Sequence, residues 1–149
     1  MKRIPKALKI AALVCAVALL FAQLIRIETS NPPVRADLTA GPVKPVLQKS
    51  CYSCHSNETV WPWYSGVAPA SWLVGRDVRE GRGHLNFSDW GNYDRDTRVH
   101  KLRDIADEVK EGAMPPWYYT LFHREARLSA SGRDQILGWV AESLEAEKE

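Results

Sequence analysis

Five consecutive residues, Cys51-Tyr52-Ser53-Cys54-His55, constrain this chain more than any other stretch. Two thiols three positions apart, followed directly by an imidazole, make the C-x-x-C-H run at which c-type haem is attached. Each thiol reaches one vinyl group of a single porphyrin, and the imidazole falls beneath the ring with Nε2 towards the iron. A chain built on this turn is expected to fold around one covalent haem, held through Cys51 and Cys54 with His55 as proximal ligand. Other uses of the pair stay open. The two cysteines could form a disulfide in an oxidising compartment, although a thioredoxin-like redox pair needs a βαβ setting that no strand pattern supplies. A structural zinc site needs two more ligands at short spacing. The third cysteine, Cys15, lies in an apolar stretch, and His84, His100 and His123 are scattered.

The chain has 149 residues, 45% hydrophobic and 26% charged, which fits one modest folded domain with an appendage. Six tryptophans and five tyrosines suit a core built partly around a large flat object, though an aromatic core without a ligand has the same composition.

The appendage is N-terminal. Lys2, Arg3, Lys6 and Lys9 precede an apolar run from Ile10 to Ile25, broken only by Gln23, and counting from Ala7 gives 19 residues. That is the short end of a membrane-spanning length, about 17–25 residues. A cleaved leader shares the basic start, but the run ends in Gln23-Leu24-Ile25-Arg26 without a small-residue exit site. The reading favours an uncleaved signal anchor over a removed leader or a buried core helix. The basic flank keeps the N-terminus cytoplasmic, so the remainder is expected on the periplasmic side of a bacterial inner membrane.

Charge divides at the same place. Residues 1–29 hold five basic and one acidic side chain, a net +4, while residues 30–149 hold 15 basic and 17 acidic ones, a net −2. No basic stripe of the kind nucleic-acid binding requires is present.

After the anchor (1–25), Asn31-Pro32-Pro33 and Gly41-Pro42 mark a stiff linker over 26–42. The haem-binding domain is expected over 43–149. A brief helix from Val43 leads into the C-x-x-C-H turn, and a second runs from Ala70 to about Glu80, ended by Gly81 and Gly83. Val99, Leu102, Ile105, Ala106 and Val109 trace a third, entered at Asp94 or Asp96 and left at Gly112. A fourth, from Ser131 to Ala146 behind a Ser129 or Ser131 cap, presents Ile136, Leu137, Val140 and Leu144. No period-two alternation appears anywhere, and the fold class is all-α.

The second axial position falls to Met114. Of two methionines, Met1 sits at the cytoplasmic end of the anchor. Pro115 and Pro116 fix their own φ and hold Met114 towards extended geometry. His/Met ligation raises the reduction potential. Met114 could equally fill a gap beside Trp117 and Tyr118, and His84 is the stronger of the rival ligands, His123 and His100 the weaker. Trp117, with Trp61, Trp63 and Tyr118, could line the haem or simply pack. Arg76, Arg79 and Arg82 could pair with propionates or form a solvated helix face.

The residues Cys51-Tyr52-Ser53-Cys54-His55-Ser56, Trp61-Pro62-Trp63-Tyr64 and Gly112-Ala113-Met114-Pro115-Pro116-Trp117-Tyr118-Tyr119 give the chain a family likeness. It resembles the membrane-anchored haem-binding-domain family of bacterial c-type cytochromes over about residues 43–145. The resemblance implies a small cytochrome c-like fold with one haem c, His55 proximal and Met114 distal. A six-coordinate iron has no open position for substrate, so the expectation is a one-electron carrier rather than an enzyme. Its partners would be redox proteins of the periplasm or inner membrane. The alternative is a haem-based sensor or gas-binding domain with a displaceable distal ligand.

Overall fold

The computed structural model describes residues 5–148. Among them the regular structure is helical: α1 (Lys6–Ala22), α2 (Lys44–Ser50), α3 (Tyr52–His55), α4 (Ala70–His84), α5 (Arg95–Glu111), α6 (Trp117–Phe122) and α7 (Ala130–Ala146), joined by short 3-10 turns. The fold is all-α. The chain divides into two compact units, one of residues 1–30 and 61–77, the other of 31–60 and 78–149.

In the larger unit the core lies where α5 packs on α7. Leu102, Ile105, Ala106 and Val109 recur every three or four residues, so one stripe of α5 is buried against Ile136 and Val140 of α7. Full burial of side chains such as Leu102 and Ile136 contributes about 1.5–3 kcal/mol each. Both helices begin at an acceptor side chain: Asp94 takes the Thr97 N–H, and Ser129 takes the Gly132 N–H. Gly112 ends α5 with φ 71°, a left-handed conformation that glycine adopts without penalty. The segment expected as a linker contributes Leu38 and Ala40 to this core, and its Asp37 binds Lys44 and the Tyr52 hydroxyl. An aromatic series runs through it. Tyr52 stacks on Phe87 at 5.0 Å, Phe87 meets Trp90 at 6.4 Å, and Trp90 meets Trp139 of α7 at 6.4 Å. The Phe87–Asn92 stretch is a 3-10 turn started by the Asn86 side chain, which accepts the Ser88 N–H.

In the smaller unit, Gln23 ends α1. Its amide donates to the carbonyls of Leu19 (2.9 Å) and Ala68 (3.1 Å), and its oxygen accepts the Ala68 N–H (3.0 Å). Trp72 donates its indole N–H to Ile25 O at 3.0 Å. These bonds turn the chain out of the helix at Gln23, the residue that interrupts the apolar run. The anchor expected over 1–25 is therefore not supported as a span: among the described residues no helix is long and apolar enough to cross a membrane. α1 has 17 residues, about 26 Å at 1.5 Å per residue, against a hydrocarbon core of about 30 Å. Lys2 and Arg3, the outer part of the basic flank, lie outside the described residues.

A second difference concerns α4. Gly81 and Gly83 do not end it; the helix continues through both to His84. The reason for a glycine at 81 is found at the functional site.

Candidate functional site

Cys51, Cys54 and His55 share one helical turn. The Cys51 carbonyl accepts the N–H groups of Cys54 (3.1 Å) and His55 (2.9 Å), and residues spaced i, i+3, i+4 lie on one face. Both thiols and the imidazole thus project from a single patch, at the end of α2 and along α3. They are not joined by a disulfide. Among the described residues no group of three or more His, Cys, Asp or Glu could hold a metal ion, so a zinc-type cluster is not formed there.

The imidazole is oriented from behind. His55 Nδ1 lies 3.0 Å from Gly81 O and 3.2 Å from Leu85 O. Carbonyls only accept, so Nδ1 carries the proton and Nε2 carries the lone pair. Burial holds the His55 pKa below its ordinary value, against the opposing effect of these two bonds, which keeps the ring neutral. A neutral imidazole with a carbonyl-bonded Nδ1–H is the form that ligates a metal through Nε2. The Cys51 thiol is pushed up to about 12, first by burial and then by Cys54 beside it, so it stays protonated through the neutral range.

The loop after His55 is fastened to α4. Arg82 Nε donates to Ser56 O at 2.8 Å, while its Nη2 donates to Asn31 Oδ1 at 2.7 Å and to Thr59 Oγ1 at 2.8 Å. Ser56 Oγ donates to Tyr52 O at 2.7 Å, and Asn57 N donates to Ser88 Oγ at 3.0 Å. Arg82 is therefore a structural clamp on the 56–59 loop rather than a solvated charge.

Met114 and Trp117 come from the other side of the sequence. Met114 follows α5, with its N–H bonded to Glu108 O at 3.3 Å, and is 37% exposed. Trp117 opens α6 behind Pro116, lies edge-on to Tyr118 at 5.9 Å and is 77% exposed. Burial holds the Tyr119 hydroxyl pKa above its ordinary value, with Ser53 of the C-x-x-C-H turn acting in the opposite sense. The 124–126 turn that follows α6 packs on α2. The rival histidines have other settings. His84 is exposed at the end of α4, the helix end that holds the back of His55. His123 stacks on Tyr119 at 4.4 Å and lies 3.1 Å from Glu125 Oε1. His100 is exposed and 3.5 Å from Asp104. Trp61 and Trp63 belong to the smaller unit, where Trp63 is 84% exposed.

The donor set fits a haem: one neutral imidazole with a directed Nε2, two thiols on its own turn, and a thioether on a proline-flanked loop. Residues 17–142 match the family of haem-binding domains. The chain belongs to that family. No curated protein and no solved structure matches it. Within this haem-binding domain, the sequence marked Gly81 only as a helix end and Arg82 only as a propionate partner or solvated charge, and did not mark Leu85. The one available signal was glycine inside a helical pattern, which often reports a close backbone approach.

Proposed function

We propose that this haem-binding domain is a mono-haem c-type cytochrome that passes single electrons between redox proteins of the periplasm or inner membrane. The observation that carries the reading is His55, back-bonded through Nδ1 to Gly81 and Leu85 on the turn that also bears Cys51 and Cys54. When bound, the haem supplies a one-electron iron couple. The chain's own residues hold, orient and tune it. Cys51 and Cys54 each form a thioether, the S–H adding across a vinyl group so that sulfur takes one carbon and hydrogen the other.

His55 and Met114 would hold the iron of a bound haem. His84 sits with the helix end behind His55, and His100 and His123 are engaged with carboxylates, which favours the thioether. The prolines after Met114 reduce the freedom it loses on ligation. Trp117 gives the site a broad exposed indole next to the Met114 loop, suited to cover a porphyrin face. With His55 and Met114 both holding it, the iron would serve electron exchange rather than substrate binding.

A tether at the inner membrane, with the haem domain outside, is part of this proposal, resting on the exposed apolar side chains of α1 and not on a membrane-spanning length. α1 has no buried residue, its apolar side chains are exposed, and Leu24 and Ile25 extend the apolar run beyond it. Tethering would raise the local concentration near membrane redox complexes.

The test is spectroscopic. Protein produced in a host that matures c-type haem should show the sharp α and β bands of a low-spin haem when reduced. Carbon monoxide should barely perturb them; rapid and complete complex formation would replace the carrier with a haem-based sensor.

A further inference from the structure

Glycine is among the least favourable residues in a helix interior, yet the 15-residue α4 holds three. Gly83 has no packing reason, since a Cβ there would meet nothing within 4 Å. Gly81 differs. A Cβ at 81 would stand 2.7 Å from Cys54 O and 3.1 Å from Cys54 C, and both are backbone atoms that cannot swing aside. The missing side chain lets the last turn of α4 close directly onto the peptide that links the second cysteine to His55.

At that contact the Gly81 carbonyl has two partners: the Leu85 N–H at 2.9 Å, within the helical pattern, and His55 Nδ1 at 3.0 Å. One carbonyl has two lone pairs and accommodates both. Leu85 O, just past the helix end, has no intrahelical donor and takes Nδ1 at 3.2 Å. His55 therefore rests on the negative end of the α4 dipole. A carbonyl bonded to Nδ1–H makes the imidazole a stronger donor through Nε2.

We propose that Gly81 is a positioning residue for His55: only glycine lets α4 approach the Cys54 peptide closely enough for its terminal carbonyls to set the direction and donor strength of the imidazole. Alanine forces α4 to retreat or the Cys54 peptide to rotate, and either movement weakens the Nδ1 bond. The inference rests on His55 being the iron ligand.

The test compares wild type, Gly81→Ala and Gly83→Ala, matured with c-type haem. Intact mass gives haem occupancy, equilibrium redox titration gives the potential, and far-UV circular dichroism of the haem-free chains gives the fold. Gly83→Ala should match wild type in all three. Gly81→Ala should keep the helical signal, carry haem in a smaller fraction of chains, and shift its potential upward because a weaker imidazole donor favours Fe(II). A folded Gly81→Ala chain that takes no haem also upholds the role. Occupancy and potential equal to those of Gly83→Ala would overturn it, as would loss of the helical signal without haem, which would make Gly81 a fold residue. A wild type without covalent haem would instead sink the haem reading itself.

Discussion

At the residue scale, the site depends on protons held in particular places. The Cys51 thiol, pushed up to about 12 from its ordinary 9.0, keeps its proton in the folded chain where an unfolded chain loses it. The folded state of the haem-free protein binds more protons between those values, so its stability is complete below about pH 9 and declines as pH rises towards 12. A thioether does not titrate. Denaturant melts at rising pH should show this alkaline loss in the haem-free chain, with the Cys51 contribution removed in the haem-loaded one. Equal alkaline sensitivity in the two would contradict thioether formation at Cys51. Met114 carries the second prediction at this scale. Met114→Ala should give a high-spin or ligand-exchanged spectrum and a lowered potential, whereas His84→Ala should leave both unchanged; the reverse pattern would move the distal ligand to His84. The residues behind these predictions differ in how legible they were. Cys51, Cys54, His55 and Met114 stand out because thiols, imidazole and thioether are chemically rare and their spacing is local. Gly81 and Leu85 act through backbone carbonyls, which every residue has, so only the three-dimensional approach of α4 reveals them.

At the element scale, helix periodicity was the dependable signal. The buried stripe of α5 and the α7 face carrying Ile136 and Val140 follow from three-and-four spacing, and the Asp94 and Ser129 caps and the Gly112 exit follow from end chemistry. Ser129→Ala should destabilise the domain by about 1 kcal/mol through loss of the bond to the Gly132 N–H. Ile136→Ala, at a fully buried position, should cost about 2–5 kcal/mol. Chemical denaturation reads both. If the Ser129 variant lost as much as the Ile136 variant, the division between cap and core would be wrong. The α4 terminus was misjudged because two glycines resemble an exit. Gly81 instead serves packing against Cys54, where tertiary contact outweighs local propensity. The end of α1 escaped notice for a related reason: Gln23 was an interruption in an apolar run until Ala68, 45 positions away, gave its amide partners.

For the whole molecule, membership of the haem-binding domain family agrees with an all-α fold whose C-x-x-C-H turn is held by neighbouring elements. Tyr52 fixes it through the aromatic series, and α4 through Gly81 and Arg82. The tether is tested by fractionating cells: a haem stain should follow the membrane pellet for the full chain and move to the soluble periplasmic fraction when residues 1–25 are replaced by a cleavable leader. Haem in the soluble fraction for both would remove the tether. The central claim is covalent attachment at Cys51 and Cys54, and the direct measurement is the intact mass of the denatured chain purified from a haem-c-maturing host. The prediction is a chain heavier than its polypeptide by one haem, an increment lost when Cys51 and Cys54 are both changed to serine. A colourless wild-type chain at the mass of the polypeptide alone would contradict it.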